Sequence, residues 1–72
     1  MSIARYRGYI VDGFAKPAGN GVFASLGRVS RGRHIIKESE VLGLHEWNER
    51  AQSEGISWAQ RYVDQLEGPH DA

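Results

Sequence analysis

A chain of 72 residues with 40% hydrophobic and 25% charged side chains is long enough for one hydrophobic core and too short for two. No apolar run approaches 18 residues, which excludes a membrane-spanning helix, and the absence of cysteine excludes disulfides, thiolate metal sites and cysteine nucleophiles. The start, Met1 to Arg7, lacks the apolar core of a secretory signal, so the composition as a whole implies a small, soluble, cytoplasmic domain.

The formal net charge is zero, yet the two halves differ sharply. Residues 1–37 carry seven basic side chains and one acid, a balance of +6; residues 38–72 carry two basic side chains and eight acids, a balance of −6. Opposite halves of this kind either lie against each other or leave the basic half free for an anionic partner.

Residues 4–14 (Tyr6, Tyr9, Ile10, Val11 and Phe14 among them) read as a first strand rich in β-branched and aromatic types. Period-two alternation places Tyr6, Gly8 and Ile10 on one face, and Arg5, Arg7, Tyr9 and Val11 on the other. Lys16-Pro17-Ala18-Gly19-Asn20-Gly21 is a turn signal. The G-x-G-x-x-A spacing of Gly19 to Ala24 is followed by strand-forming residues, not a helix, so it marks a hairpin and not a dinucleotide site. Residues 22–30 form the second strand, with Phe23, Ser25, Gly27 and Val29 facing one way, and Val22, Ala24, Leu26 and Arg28 the other. Arg31-Gly32-Arg33 forms a tight connection, and residues 34–41 form the third strand.

The period then changes to three or four. Leu44, Trp47, Ala51, Trp58, Tyr62 and Leu66 fall on one stripe with Gly55, beside Ala59 and Val63, and predict a C-terminal helix of about 22 residues. His45 takes the N-cap position, Glu46 and Glu49 the first turn, and Gly68-Pro69 the stop. The phase of the stripe carries through Gly55, which favours one unbroken helix with that glycine packed closely on the sheet.

The expected fold is therefore α+β, a three-stranded antiparallel β-meander packed against one long C-terminal helix. It occupies residues 1–68, with 69–72 a disordered tail. The helix covers one sheet face, taken to be that of Tyr6, Ile10, Phe23 and Val29, with Gly8 and Gly27 making room for the indoles. The other face, with its arginines, remains open. Arg5, Arg7, Tyr9, Arg28, Arg31 and Arg33 are the candidate binding surface, since arginines flanking a tight turn suit phosphate oxygens and an exposed tyrosine could stack a base.

Catalytic chemistry finds no support. The serines sit on predicted strands without a nucleophile elbow. His45-Glu46-Trp47-Asn48-Glu49 lacks the second histidine of a metalloprotease helix, leaving at most His45, Glu49 and a distant His34 for zinc. No enzyme activity, cofactor or metal is expected.

Tyr6-Arg7-Gly8-Tyr9-Ile10, Gly21-Val22-Phe23-Ala24, Gly32, Gly43-Leu44, Trp58-Ala59 and Tyr62-Val63-Asp64 give residues 5–67 a pattern that resembles small uncharacterised bacterial β-β-β-α domains. The layout, without its Pro-Asp-x-Pro-Gly segment, is similar to the partial ribonuclease-H-like domain of the HicB antitoxin, in which sheet and helix bind a toxin. Double-stranded-RNA-binding domains share the β-β-β-α core, but their first helix and basic helix start are absent here. The resemblance implies the fold and carries no catalytic residue across; the open face and the unpaired sheet edges lead to the expectation of a non-enzymatic module binding protein, itself or a partner, through that face or an edge. A nucleic-acid accessory domain is the alternative, and no membrane contact is expected.

Overall fold

The computed structural model describes residues 1–68; the expected tail, with His70, lies outside the described residues. The elements are β1 (Ser2–Tyr6), β2 (Tyr9–Pro17), β3 (Phe23–Arg31), β4 (His34–Glu38), β5 (Gly43–His45) and α1 (Asn48–Glu67). All strand pairs are antiparallel, in the order β1-β2-β3-β4, with β5 pairing the N-terminal part of β3. The chain is thus an α+β β-meander against a single C-terminal helix. No helix among the described residues is long and apolar enough to cross a membrane.

The sheet has five strands where the sequence suggested three, for two local reasons. Residues 4–14 are not one strand but a hairpin. Arg7 and Gly8 both take positive φ (51° and 89°), the geometry of a two-residue type I′ turn, and Tyr6 pairs with Tyr9. A tight turn of this kind puts residues 6 and 9 on the same face, so the alternation changes phase at the turn. After β4, a second break at residues 39–42 returns the chain to β3. There Ser39 N–H donates to the Gly27 carbonyl and Leu42 N–H to the Ser25 carbonyl.

The phase change corrects the assignment of faces on β2. Val11 pairs with Val29 and Gly13 with Gly27, and this row lies beneath the helix; Tyr9 joins it in the core, while Ile10 points to the open side. On β3 the expected inward set, with Gly27 and Val29, holds. Tyr6 also lies on the helix side, packed against the core.

The helix is unbroken from Asn48 to Glu67, as its phase implied. Its N-cap is Trp47 rather than His45, and it stops at Gly68, whose N–H donates to the Asp64 carbonyl. Its buried face is the small-residue line Ala51, Gly55, Ala59 and Val63. Trp58 and Tyr62 stack along the flank, ring centroids 5.6 Å apart, with the indole over Gly27. Trp47, Leu44 and Leu66, expected in the core, are exposed, Trp47 to 62%. The cause is the closeness of the crossing. A Cβ on Gly55 would stand 2.0 Å from the Leu26 carbonyl oxygen, and one on Gly13 2.0 Å from that of Gln52, so only small side chains fit on the centre line. Ser25, fully buried in this contact, donates its hydroxyl to the Ala51 carbonyl at 2.6 Å.

Candidate interaction surfaces

The six candidate residues do not share one face. Five of them, Arg5, Arg7, Tyr9, Arg31 and Arg33, gather at the end of the sheet where the β1–β2 and β3–β4 turns meet the C-terminus of the helix. Arg5, Arg7, Tyr9 and Gly32 help line an open cleft there of about 630 Å³.

Most of this cluster is engaged within the chain. Arg7 pairs with Asp64 at 2.8 Å and donates to the Gly68 carbonyl at 3.3 Å, holding the end of the helix to the sheet. The hydroxyl of Tyr6 also donates to Asp64, at 2.9 Å. Tyr9, expected to be exposed for base stacking, is only 5% exposed; its hydroxyl donates to Glu67 at 2.6 Å. Arg31 lies over the Tyr9 ring, 4.8 Å from its centroid, on the helix side of the sheet. The hydrogen bond to Asp64 is the first reason that the Tyr6 phenol is held above its ordinary pKa of 10.0, and the bond to Glu67 does the same for Tyr9. Each proton would leave a phenolate facing a carboxylate. Among the described residues, Arg5 and Arg33 alone of these arginines have no side-chain ion-pair or hydrogen-bond partner; the rest of the cluster is a latch between sheet and helix.

Arg28 faces away from this latch, on the same side of the sheet as Arg5, as the sequence indicated. It stands on the open face, with its Nε 2.8 Å from Glu38, its Nη1 3.8 Å from Asp12 and its guanidinium over the Phe14 ring. Strand registers arrange this face in rows. Arg5, Ile10, Ser30 and Ile35 form one; Ile3, Asp12, Arg28 and Glu38 the next; Phe14 and Leu26 a third; Lys16, Ala24 and Leu44 a fourth. A charged row thus runs between apolar ones. Ile3, Ile35 and Leu44 are more than half exposed. Among the described residues, no element covers this side of the sheet.

Asp12 is the unusual member of the charged row. It is 6% exposed, and its Oδ1 is buried with no hydrogen-bond donor. A buried acceptor without a donor costs about 1–3 kcal/mol, and the guanidinium at 3.8 Å stands beyond hydrogen-bond range. Sequence reasoning passed over Asp12 because an isolated aspartate in a strand carries no signal; its importance comes from the register that sets it between Ile3 and Arg28.

No three His, Asp or Glu side chains among the described residues are grouped to hold a metal. His45, considered above with Glu49, instead lies 2.7 Å from Glu54, tying β5 to the helix. No family model, curated protein or solved structure matches the chain, so its function has to be read from its own geometry.

Proposed function

We propose that this chain is a non-enzymatic interaction module that docks a protein on its open sheet face. The observation that carries this reading is the one-sided cover of the sheet: helix α1 packs on β2 and β3 from one side, and the other side exposes Ile3, Ile35 and Leu44 around half-buried Ile10, Phe14 and Leu26. Exposed apolar surface of this extent, here crossed by one charged row, marks a protein contact more often than a solvated face. The strand edge is a poorer docking place. The register of β3 and β4 slips by one residue beside Ile36, a bulge of the kind that blunts edge-to-edge pairing.

The nucleic-acid alternative is less well supported, because Tyr9 and Arg7 serve the latch and Arg28 lies on the other face with two acids. The test is a photoreactive residue introduced at Leu26 and, separately, at Arg61 on the exposed side of the helix, followed by irradiation in cells. Protein adducts from position 26 and none from position 61 are expected. Equal labelling from both positions, or none from 26, overturns the reading.

A further inference from the structure

We infer that the occupant of the open sheet face is a second copy of this chain, joined by a two-fold axis that runs along the strands between β2 and β3. The inference rests on the docking reading above and names the partner.

Charge complementarity selects the axis. Such a rotation lays β2 of one copy over β3 of the other while keeping each residue at its own height along the strands. Asp12 and Arg28 are a registered pair, so Asp12 of each copy meets Arg28 of the other. The result is an alternating ring of two carboxylates and two guanidiniums. It brings a second cation over the Asp12 side chain, whose Oδ1 has no hydrogen-bond donor among the described residues. Phe14 and Leu26, the next registered pair on this face, meet in the same way and make an apolar cluster beside the ring. In the outer strands β1 comes over β4, setting Arg5 above Ile35 and Ile3 above Glu38. A two-fold axis running across the strands would instead stack Asp12 on Asp12 and Arg28 on Arg28. Aligned sheets cross at about 30°, so the pairs near the axis stay in contact while the outermost ones fan apart.

The area is sufficient. About 30 strand residues, each covering roughly 16 Å² of sheet, present roughly 500 Å² of projected surface per copy. Two copies therefore withdraw on the order of 1,000 Å², before side-chain relief adds to it, which reaches the lower limit for a specific interface. An affinity in the micromolar range is expected, not an obligate dimer.

Sedimentation equilibrium at about 100 μM, well above that range, reads the mass directly. The expected value is twice the 8.0 kDa of the chain. Phe14→Asp and Leu26→Lys each place two like charges in the apolar cluster, and each variant alone should sediment as a folded 8.0 kDa monomer, with an unchanged far-ultraviolet circular dichroism spectrum. Mixed in equal amounts they place one Asp and one Lys there, and the dimer should return. A monomeric wild-type protein at 100 μM overturns the inference without any variant, as does a mixture of two folded variants that stays monomeric. In either event the crosslinking experiment still judges the docking reading: adducts from position 26 with a different protein preserve it, and their absence removes both.

Discussion

Gly55→Ala is the substitution on which simple helix propensity and this structure disagree most. In an exposed helix the change stabilises by about 1 kcal/mol, because alanine loses less backbone freedom on folding. Here the new Cβ would stand 2.0 Å from the Leu26 carbonyl oxygen and 2.8 Å from the Gly13 Cα, both backbone atoms that no rotamer can move aside. Restoring ordinary contact requires the helix to lift by about 1.4 Å, and a gap near 1 Å already forfeits a quarter to a half of a dispersion contact. Val11, Val29, Ala59 and Val63, fully buried across this contact, would all lose packing. If burial is worth about 1.5–3 kcal/mol for each larger aliphatic side chain, the lift costs about 3–4 kcal/mol, leaving a net loss of about 2–3 kcal/mol once the propensity gain is subtracted. A domain of this size has roughly 4–11 kcal/mol in all. Urea unfolding followed by tryptophan fluorescence is the assay. With a slope near 1 kcal/mol/M, the midpoint should fall by about 2–3 M. Ser57→Ala, on the exposed side of the same helix, should raise it slightly. A Gly55→Ala midpoint that is unchanged or higher would refute the close crossing of helix and sheet.

Ser25→Ala should cost about 1 kcal/mol in the same assay, since it leaves the Ala51 carbonyl without the hydroxyl that reaches it at 2.6 Å; a neutral result would mean that this bond contributes nothing. Raised phenol pKa values at Tyr6 and Tyr9 mean that the folded chain holds these protons more tightly than the unfolded one. Their contribution to stability is therefore fully present below pH 10.0 and is lost as pH rises from there through the folded-state values. Tyr6→Phe with Tyr9→Phe should flatten this alkaline decline, and a decline of unaltered slope would locate its cause elsewhere. Arg7→Ala should leave global stability within about 1 kcal/mol, as expected for a partly exposed ion pair. It should nonetheless speed hydrogen exchange at the Gly68 amide, because Arg7 holds the carbonyl of the same residue; unchanged exchange there would argue against the latch.

The α+β class, the β-meander, the tight turn at Gly32, the unbroken helix and its stop at Gly68 were all legible in the residues, because each follows from local periodicity or turn chemistry. The closeness of Gly55 to the sheet was legible too, from a stripe that kept its phase through a glycine. The Arg7-Gly8 turn was not. Arginine is an uncommon residue at positive φ, so nothing in the pattern announced the hairpin, and missing it reversed the faces of β2, exchanging Ile10 for Tyr9 and Val11. Bulk suggested that Trp47, Trp58 and Tyr62 would centre the helix contact, whereas the backbone approach at Gly13, Gly27 and Gly55 reserved that line for Ala51, Ala59 and Val63.

The candidate surface divides along the same boundary. Composition identified the arginines, but it could not say which of them face acids from the distant half of the chain. Arg7 meets Asp64 only because the helix C-terminus lands beside the first hairpin, and Arg28 meets Asp12 and Glu38 only through strand register. By itself the sequence determined which elements form, since those choices depend on neighbours a few residues apart. Tertiary structure alone decided which side chains the helix covers and which charges are already matched, because a one-residue change of phase at a turn carries every side chain beyond it to the opposite side of the sheet.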